Sequence, residues 1–373
     1  MPRQNQRTDA SEIKSLEANC RDWCREHWGE QFSHLEVLAS GSREFSRWLH
    51  LRVHLLSGAT GLVSSQHRAN GTELFAKQAI AHVRNTTCDG SEAIAREASA
   101  LSHAAAAFAA DATCRVPECL GVTRDGTTLI LQWLDGRILD GELATAKWWG
   151  SRARFARTTR YMHRMGSWLQ RYQANSDGAN ELSIAESVSL VPLIARARDH
   201  LQSLAEIEYN WHDSFLSRLA EHLDALLETC GGQCAGVLSH GDFGPWNVTV
   251  ATVDGVDRCT VFDFYCAGRQ SRWLDVANVR SYLEFLQLSP SLNGRRLGQL
   301  RDAFMSGYGQ AWPQGCSEAA ICLSYQRLCR LVDLAHRGPV GRLGKWRWSQ
   351  AMQNWCGLLL KEMKESRKES QQR

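Results

Sequence analysis

No apolar run in the sequence is long enough to cross a bilayer. The longest alanine-rich stretch, Ala104 to Ala110, falls far short of the roughly 18 residues a spanning helix needs. The first residues, MPRQNQRTDASEIKS, hold no apolar core, so no secretory signal is expected. Internal repeats and low-complexity blocks are also missing, which argues against a solenoid or a repeat array. Strong net charge is absent: 43 Lys and Arg face 40 Asp and Glu, a balance of +3, and no nucleic-acid partner is expected. The 13 cysteines cannot all pair, and they are scattered over a long chain. That pattern fits reduced thiols in a cytoplasm better than a disulfide framework.

What remains is an ordinary globular composition, 43% hydrophobic and 22% charged over 373 residues, enough for two packed units. Charge is uneven along it. After Asp275 there are 15 Lys and Arg against 7 Asp and Glu. A basic C-terminal third points to anionic company (a phosphate, an acidic sugar, a lipid headgroup or, by charge alone, nucleic acid) or to a solvated helical surface. A lipid-linked or peripheral-membrane acceptor stays open on the same ground.

Residues 1–33 read as a short tail and then a helix, SEIKSLEANCRDWCREHWGE, capped by Ser11. Cys20, Cys24 and His27 fall on one face of it. They are either candidate metal ligands without a fourth partner or a packed face. From 34 to 136 the pattern changes. HLEVLAS, RWLHLRVHLL, ELFAKQAI and TTLILQWL are short β-branched or aromatic runs, with one helix, SEAIAREASALSHAAAAFAA, among them. From 137 to 365 helices dominate, interrupted by AGVLSH, NVTVATV and CTVFDF as strands. Residues 366–373 read as a frayed charged tail. The expected class is α+β, a small antiparallel sheet with one long helix followed by a larger, mainly helical part.

The stretch LSHGDFGPWNV, residues 238–248, concentrates polar chemistry between two strands. Its spacing, His240-x-Asp242-x4-Asn247, followed by a strand that ends in Asp263, suits phosphoryl transfer. That reaction needs a carboxylate beside an acceptor hydroxyl and oxygen ligands for Mg²⁺. Asp242 fits the base, and Asn247 and Asp263 fit the metal. The same loop could be structural, its Asp and Asn capping turns. In the preceding half, Lys77 sits mid-strand in ELFAKQAI, where a lysine is costly unless paired, and Glu97 lies in the next helix. Such a pair would reach nucleotide phosphates. Ser40, Gly41 and Ser42, in ASGSREFSRW, occupy the place of a phosphate-covering loop with a single glycine. Gln132, Trp133 and Leu134, in LQWLDG, form the connector between the halves, with backbone that can meet an adenine edge.

LSHGDFGPWNV, VFDF, RWLDVANV, HRMGSWLQRYQ and LRDAFMSGYGQA together resemble the aminoglycoside phosphotransferase and choline kinase-like small-molecule kinases, over about residues 35–310. The resemblance implies a protein kinase-like bilobal fold, with residues 34–136 as the nucleotide lobe and 137–365 as the catalytic lobe. It implies ATP and Mg²⁺ as cofactors and a small-molecule hydroxyl as acceptor. It also implies that Asp275 braces the catalytic loop and that His240 orients it. Too few residues separate VFDF from WLDVA for a protein kinase's activation loop. An inactive nucleotide-binding module of the same fold and an aminoglycoside-modifying kinase remain as alternatives. The basic C-terminal third favours a neutral or anionic acceptor over a polycation.

Overall fold

The structure is a computed structural model. It describes residues 10–42, 46–56, 72–79, 90–175, 187–207, 209, 211, 214–289, 291–338 and 348–360. The chain divides into two compact units. One comprises Arg3–Gly136 with Thr260–Ala267, the other Arg137–Cys259 with Gly268–Arg373.

The smaller unit begins with helix α1 (Ala10–Trp28). Strands β1 (Phe32–Ser42), β2 (Ser46–Leu55) and β3 (Thr72–Ala79) follow, then α2 (Gly90–Ala107), β4 (Cys114–Arg115), β5 (Cys119–Val122) and β6 (Thr128–Gln132). Its five-stranded antiparallel sheet runs β1-β2-β3-β6-β5. Side chains alternate across the sheet. Leu49, Leu51, Val53, Leu74, Ala76 and Ile130 are buried on one face, where Leu16, Cys20, Trp23 and Cys24 of α1 join their core. Cys20 and Cys24 are thus core residues. Burial pushes both thiols up, that of Cys24 to about 12. His27 stacks on Trp23, with ring centroids 4.7 Å apart. The apolar spacing of α1 is therefore spent on packing. Among the described residues no three His, Cys, Asp or Glu are placed to hold a metal.

The other sheet face carries Lys77, with Trp48 directly opposite it on β2 and His50 opposite Phe75. Trp48 stacks over Phe75, and His50 stacks over Trp133 with centroids 3.5 Å apart. Ser40, Gly41 and Ser42, expected in a loop, continue β1 and pair with Leu49, Trp48 and Arg47. Gly41 is needed there, because a Cβ would sit 2.6 Å from the Trp48 ring. The intervening residues 43–45 lie outside the described residues.

The larger unit contains β7 (Arg137–Ile138), α3 (Leu139–Glu142), α4 (Arg152–Ala174), β8 (Ser187–Ser189), α5 (Val191–Ala205), α6 (Phe215–Cys230) and β9 (Gln233–Ser239). Then come β10 (Val248–Val253), β11 (Val256–Val261), β12 (Gly268–Ser271), α7 (Arg272–Leu286), α8 (Gly294–Tyr308) and α9 (Ser317–Arg337); residues 348–360 are also helical. β9 lies between β8 and β12, and β10 between β7 and β11. Asp254 and Gly255, both at positive φ, turn the β10–β11 hairpin, as the Asp-Gly pair of VDGVD leads one to expect. No described helix is long and apolar enough to cross a membrane.

Two glycines let α4 and α8 approach closely. A Cβ on Gly166 would lie 2.1 Å from the Phe304 carbonyl oxygen, and one on Gly307 1.8 Å from that of His163. Both clashes are with backbone, which cannot rotate away. Gly307→Ala should therefore lower stability by about 1–3 kcal/mol or more, read as a lower urea midpoint at unchanged slope. Gly298→Ala is the control. It lies on the same helix with open space around it, so the added methyl should instead gain up to about 1 kcal/mol of helix propensity. A Gly307→Ala protein as stable as wild type would show that the helices can separate without loss.

Candidate active site

In the smaller unit, β3 and α2 bring Lys77 and Glu97 together. The ammonium donates to both carboxylate oxygens of Glu97, at 3.0 and 2.8 Å, and also to Asp263. Lys77 is 7% exposed and Glu97 1%. The Tyr265 ring lies 5.4 Å from the ammonium. Burial pulls the lysine's pKa down, yet the adjacent carboxylates of Asp263 and Glu97 outweigh it and hold the ammonium above its ordinary value. Burial pushes Glu97 up, Lys77 opposes that, and the negative Asp263 adds to it. One cation thus serves two acids. Asp263 itself sits in the left-handed region at φ 70°, ψ 60°, an uncommon conformation for a residue other than glycine. That sharp turn ends the strand and aims the carboxylate at Lys77.

The larger unit holds the other sequence-predicted residues. The loop after β9 turns at Gly241, φ 79°. Asp275, 1% exposed at the start of α7, ties the loop down. Its Oδ2 accepts from the Ser239 hydroxyl at 2.8 Å and the His240 amide at 2.7 Å, and its Oδ1 accepts from the Gly241 amide at 3.0 Å. Burial raises the Asp275 pKa, opposed by the neighbouring His240 and these donors. His240 is fully buried, edge-on to Phe243. Phe243 in turn stacks on Trp168 of α4, so the loop is pinned by a ring as well as by a carboxylate. From this frame the half-buried Asp242 projects. Its Oδ2 accepts from Asn247 Nδ2 at 3.0 Å and Trp246 Nε1 at 3.3 Å, and its Oδ1 from Asn278 Nδ2 at 3.5 Å. Asn247 Nδ2 also donates to the Asp242 carbonyl, at 2.9 Å. With its nitrogen held this way, Asn247 turns its Oδ1 to the other side, buried and without a hydrogen-bond partner.

The amides of Gln132 and Trp133 donate to the carbonyls of Glu118 and Glu73, at 3.0 and 3.1 Å, so these donors are engaged inside the sheet. Leu134 follows them, past the end of β6. Three residues escaped sequence reasoning. Trp246 lay inside the quoted loop but was unassigned. Asn278 stands three residues after Asp275, one helical turn along α7, a spacing that could have marked it. Arg330, on α9, gave no local signal at all. Its guanidinium donates to Asn278 Oδ1 and lies 4.7 Å from the Trp246 ring and 5.3 Å from that of Tyr282.

The charge cluster of the smaller unit yields a stability test. In Lys77→Met, Glu97 and Asp263 lose their shared cation, and removing one partner from a buried ion pair costs about 3–5 kcal/mol. Glu97, already raised, would rise further. A carboxyl whose folded pKa exceeds its unfolded value weakens the fold as pH climbs through that window. Acidifying from pH 8 to 5.5 should therefore narrow the gap between Lys77→Met and wild type, by up to about 1.4 kcal/mol per unit of pKa shift. Denaturant titrations at the two pH values measure it, and a gap that stays constant or widens refutes the shared-cation reading.

The pattern of the phosphotransferase enzyme family matches residues 77–316, more than half of the chain. No curated protein matches the sequence. Among solved structures, the Plasmodium vivax ethanolamine kinase is similar at a TM-score of 0.53 and 10% identity, over 96% of this chain and 91% of that one. A choline/ethanolamine kinase family protein from Mesorhizobium loti is similar at 0.50 and 16% identity, over 96% and 98%. The GDP complex of aminoglycoside 2'-phosphotransferase-IIIa is similar at 0.51 and 11% identity, over 97% and 100%. At such identities the likeness is one of fold, that of the protein kinase-like small-molecule kinases. The chain belongs to the phosphotransferase enzyme family and is a kinase that transfers a phosphoryl group from a nucleotide to a small-molecule hydroxyl.

Proposed function

We propose that this kinase moves the γ-phosphoryl group of ATP, in the cytoplasm, to a hydroxyl of a neutral or anionic small molecule, with Asp242 as the general base. The observation that carries the reading is the division of labour within one loop. Asp242 is half-buried and reachable, and its carboxylate is oriented by Trp246, Asn247 and Asn278. Asn247 spends its nitrogen on Asp242 and keeps a buried oxygen with no partner. Asn247 offers an orphaned amide oxygen and Asp263 a carboxylate, each an oxygen donor of the kind Mg²⁺ takes beside nucleotide phosphates. When bound, the ion neutralises charge on the transferring phosphoryl group.

The residues of the chain do the rest. Asp242 accepts the proton of the acceptor hydroxyl as that oxygen bonds to phosphorus and the bond to the leaving ADP breaks. Asp275 keeps the base in position by fixing the backbone at residues 239–241. His240, packed beneath the loop, is a positioning residue. Lys77, held by Glu97, supports the nucleotide phosphates as a point charge. Trp48 and Phe75, on the same sheet face as Lys77, offer flat rings to the adenine of the nucleotide. With the amides of Gln132 and Trp133 engaged in the sheet, the donor to an adenine edge falls to Leu134. Ser40, Gly41 and Ser42 lead the chain toward the phosphates from β1.

Asp242→Ala should cut turnover on any accepted substrate by about 10²–10⁴-fold while nucleotide binding persists. Near-wild-type turnover would remove Asp242 from the mechanism. Asp263→Ala should weaken MgATP binding, measured by calorimetry, more than Asn247→Ala does, because a carboxylate brings charge to the metal and an amide does not. Equal affinities for wild type and Asp263→Ala would overturn the metal assignment.

A further inference from the structure

We propose that Arg330 is the acceptor-binding residue of this kinase and that the acceptor carries an anionic group, a carboxylate or a phosphate, close to the hydroxyl that is phosphorylated. The inference rests on Asp242 being the base. Its own grounds lie in the surroundings of one guanidinium.

Five arginines of the larger unit lie along α7 and α9: Arg272, Arg280, Arg327, Arg330 and Arg337. Arg280 and Arg327 are neutralised: both pair with Glu284, at 3.0 and 2.8 Å. Arg330 meets no carboxylate among the described residues. Among them its guanidinium donates to the neutral amide oxygen of Asn278, and its Nε is buried without an acceptor. A buried guanidinium nitrogen without an acceptor is costly, although the rest of this half-buried side chain reaches solvent. Its position accounts for keeping it. Asn278 accepts from Arg330 with its oxygen and donates to Asp242 Oδ1 with its nitrogen. A single amide therefore spans the distance between the free cation and the base. The half-buried Trp246, Tyr282, Asp242 and Arg330 all reach solvent beside it.

The rings decide which sign of ligand is welcome. A tryptophan and a tyrosine meeting edge to face, with centroids 5.0 Å apart, are a usual receptor for an ammonium group. Here that receptor already holds a cation, since Arg330 covers Trp246 at 4.7 Å and Tyr282 at 5.3 Å. The two acids beside the rings are both engaged, Asp140 by the Tyr282 hydroxyl and Asp242 by Trp246 Nε1, Asn247 and Asn278. An amine entering here would meet like charge and an occupied ring pair. A carboxylate or phosphate would meet the fork of donors that guanidinium offers to planar or tetrahedral oxyanions. The rings hold the guanidinium in place, so little side-chain freedom is lost on binding.

The test uses matched acceptors that share a scaffold: glucose, glucuronate, glucose 6-phosphate and glucosamine, and the set glycerol, glycerate and glycerol 3-phosphate. ADP release gives turnover, and calorimetry gives binding of glucuronate and of glucose 6-phosphate to the full chain. Wild type should favour an anionic member over its neutral partner, with glucosamine worst. Arg330→Gln should reduce the anion-to-neutral ratio of kcat/KM by about tenfold to a hundredfold, chiefly through KM, the range expected for losing a charged hydrogen bond. Arg330→Lys keeps the charge and should fall between. A merely structural role would depress all acceptors alike and leave the ratio unmoved, which would overturn the proposal. So would preference for the amine, or anion binding that is absent in wild type or indifferent to Arg330→Gln. The carboxylate and phosphate arms separate the two sources of anion. Failure of the underlying kinase reading looks different: no ADP release with any acceptor and no MgATP binding, whatever the anions do in the calorimeter.

Discussion

Asp275 cannot reach water, and the loop at residues 239–248 is built around that fact. A carboxylate buried at the start of a helix must find donors, and it finds three in a row, at Ser239, His240 and Gly241. Satisfying it fixes the loop's backbone, because two of the three donors are main-chain amides. Gly241 supplies the positive φ that lets successive amides converge on one side chain. Once that backbone is set, Asp242 has one way to project and Asn247 has one amide face left over. The strength of the arrangement comes from the low-dielectric surroundings, which make an unsatisfied Asp275 far worse than a satisfied one.

The smaller unit handles its buried charge by a different route. Lys77 stands mid-strand among apolar residues because Glu97 and Asp263 meet it from two directions. Neither acid would be comfortable alone at that depth. The cluster therefore links β3, α2 and the short stretch 260–267 into one packed body, a connection that runs from the middle of one strand to residues far along the chain. The opposite sheet face, closed by α1, carries no such polar demand, and its cysteines behave as small hydrophobes.

α9 contributes two kinds of arginine to the larger unit. Arg327 is matched by a carboxylate and serves the packing of α7 on α9. Arg330, one turn further, is left with an amide and two rings. Both belong to the basic C-terminal third, which from composition alone could equally have been a solvated surface. Whether an acid stands opposite an arginine is decided in space, and no count of charges along the sequence contains that information.

The sequence by itself determined the class of chemistry. The spacing of His240, Asp242 and Asn247, the strand running into Asp263, and a lysine stranded in an apolar run are local patterns, set by residues a few positions apart. Most elements were legible for the same reason: period two in β2 and β3, period 3.6 in α1, α2 and α4, and Asp-Gly at the β10–β11 turn. Tertiary structure alone decided the rest. The Ser40-Gly41-Ser42 segment reads as a loop by composition, but pairing with β2 and the Trp48 ring made it strand. Short β4 and β5 have too few residues to show a period. The amides of Gln132 and Trp133 were claimed by distant carbonyls. Cys20, Cys24 and His27 share a helical face under any reading, and only the sheet packed against that face distinguished core from ligands. Arg330 and Asn278 met through the packing of α9 on α7, a contact between residues 52 positions apart. Periodicity and turn chemistry act along the chain, whereas burial, charge pairing and side-chain hydrogen bonds act through space, and it is burial that gives this site its particular character.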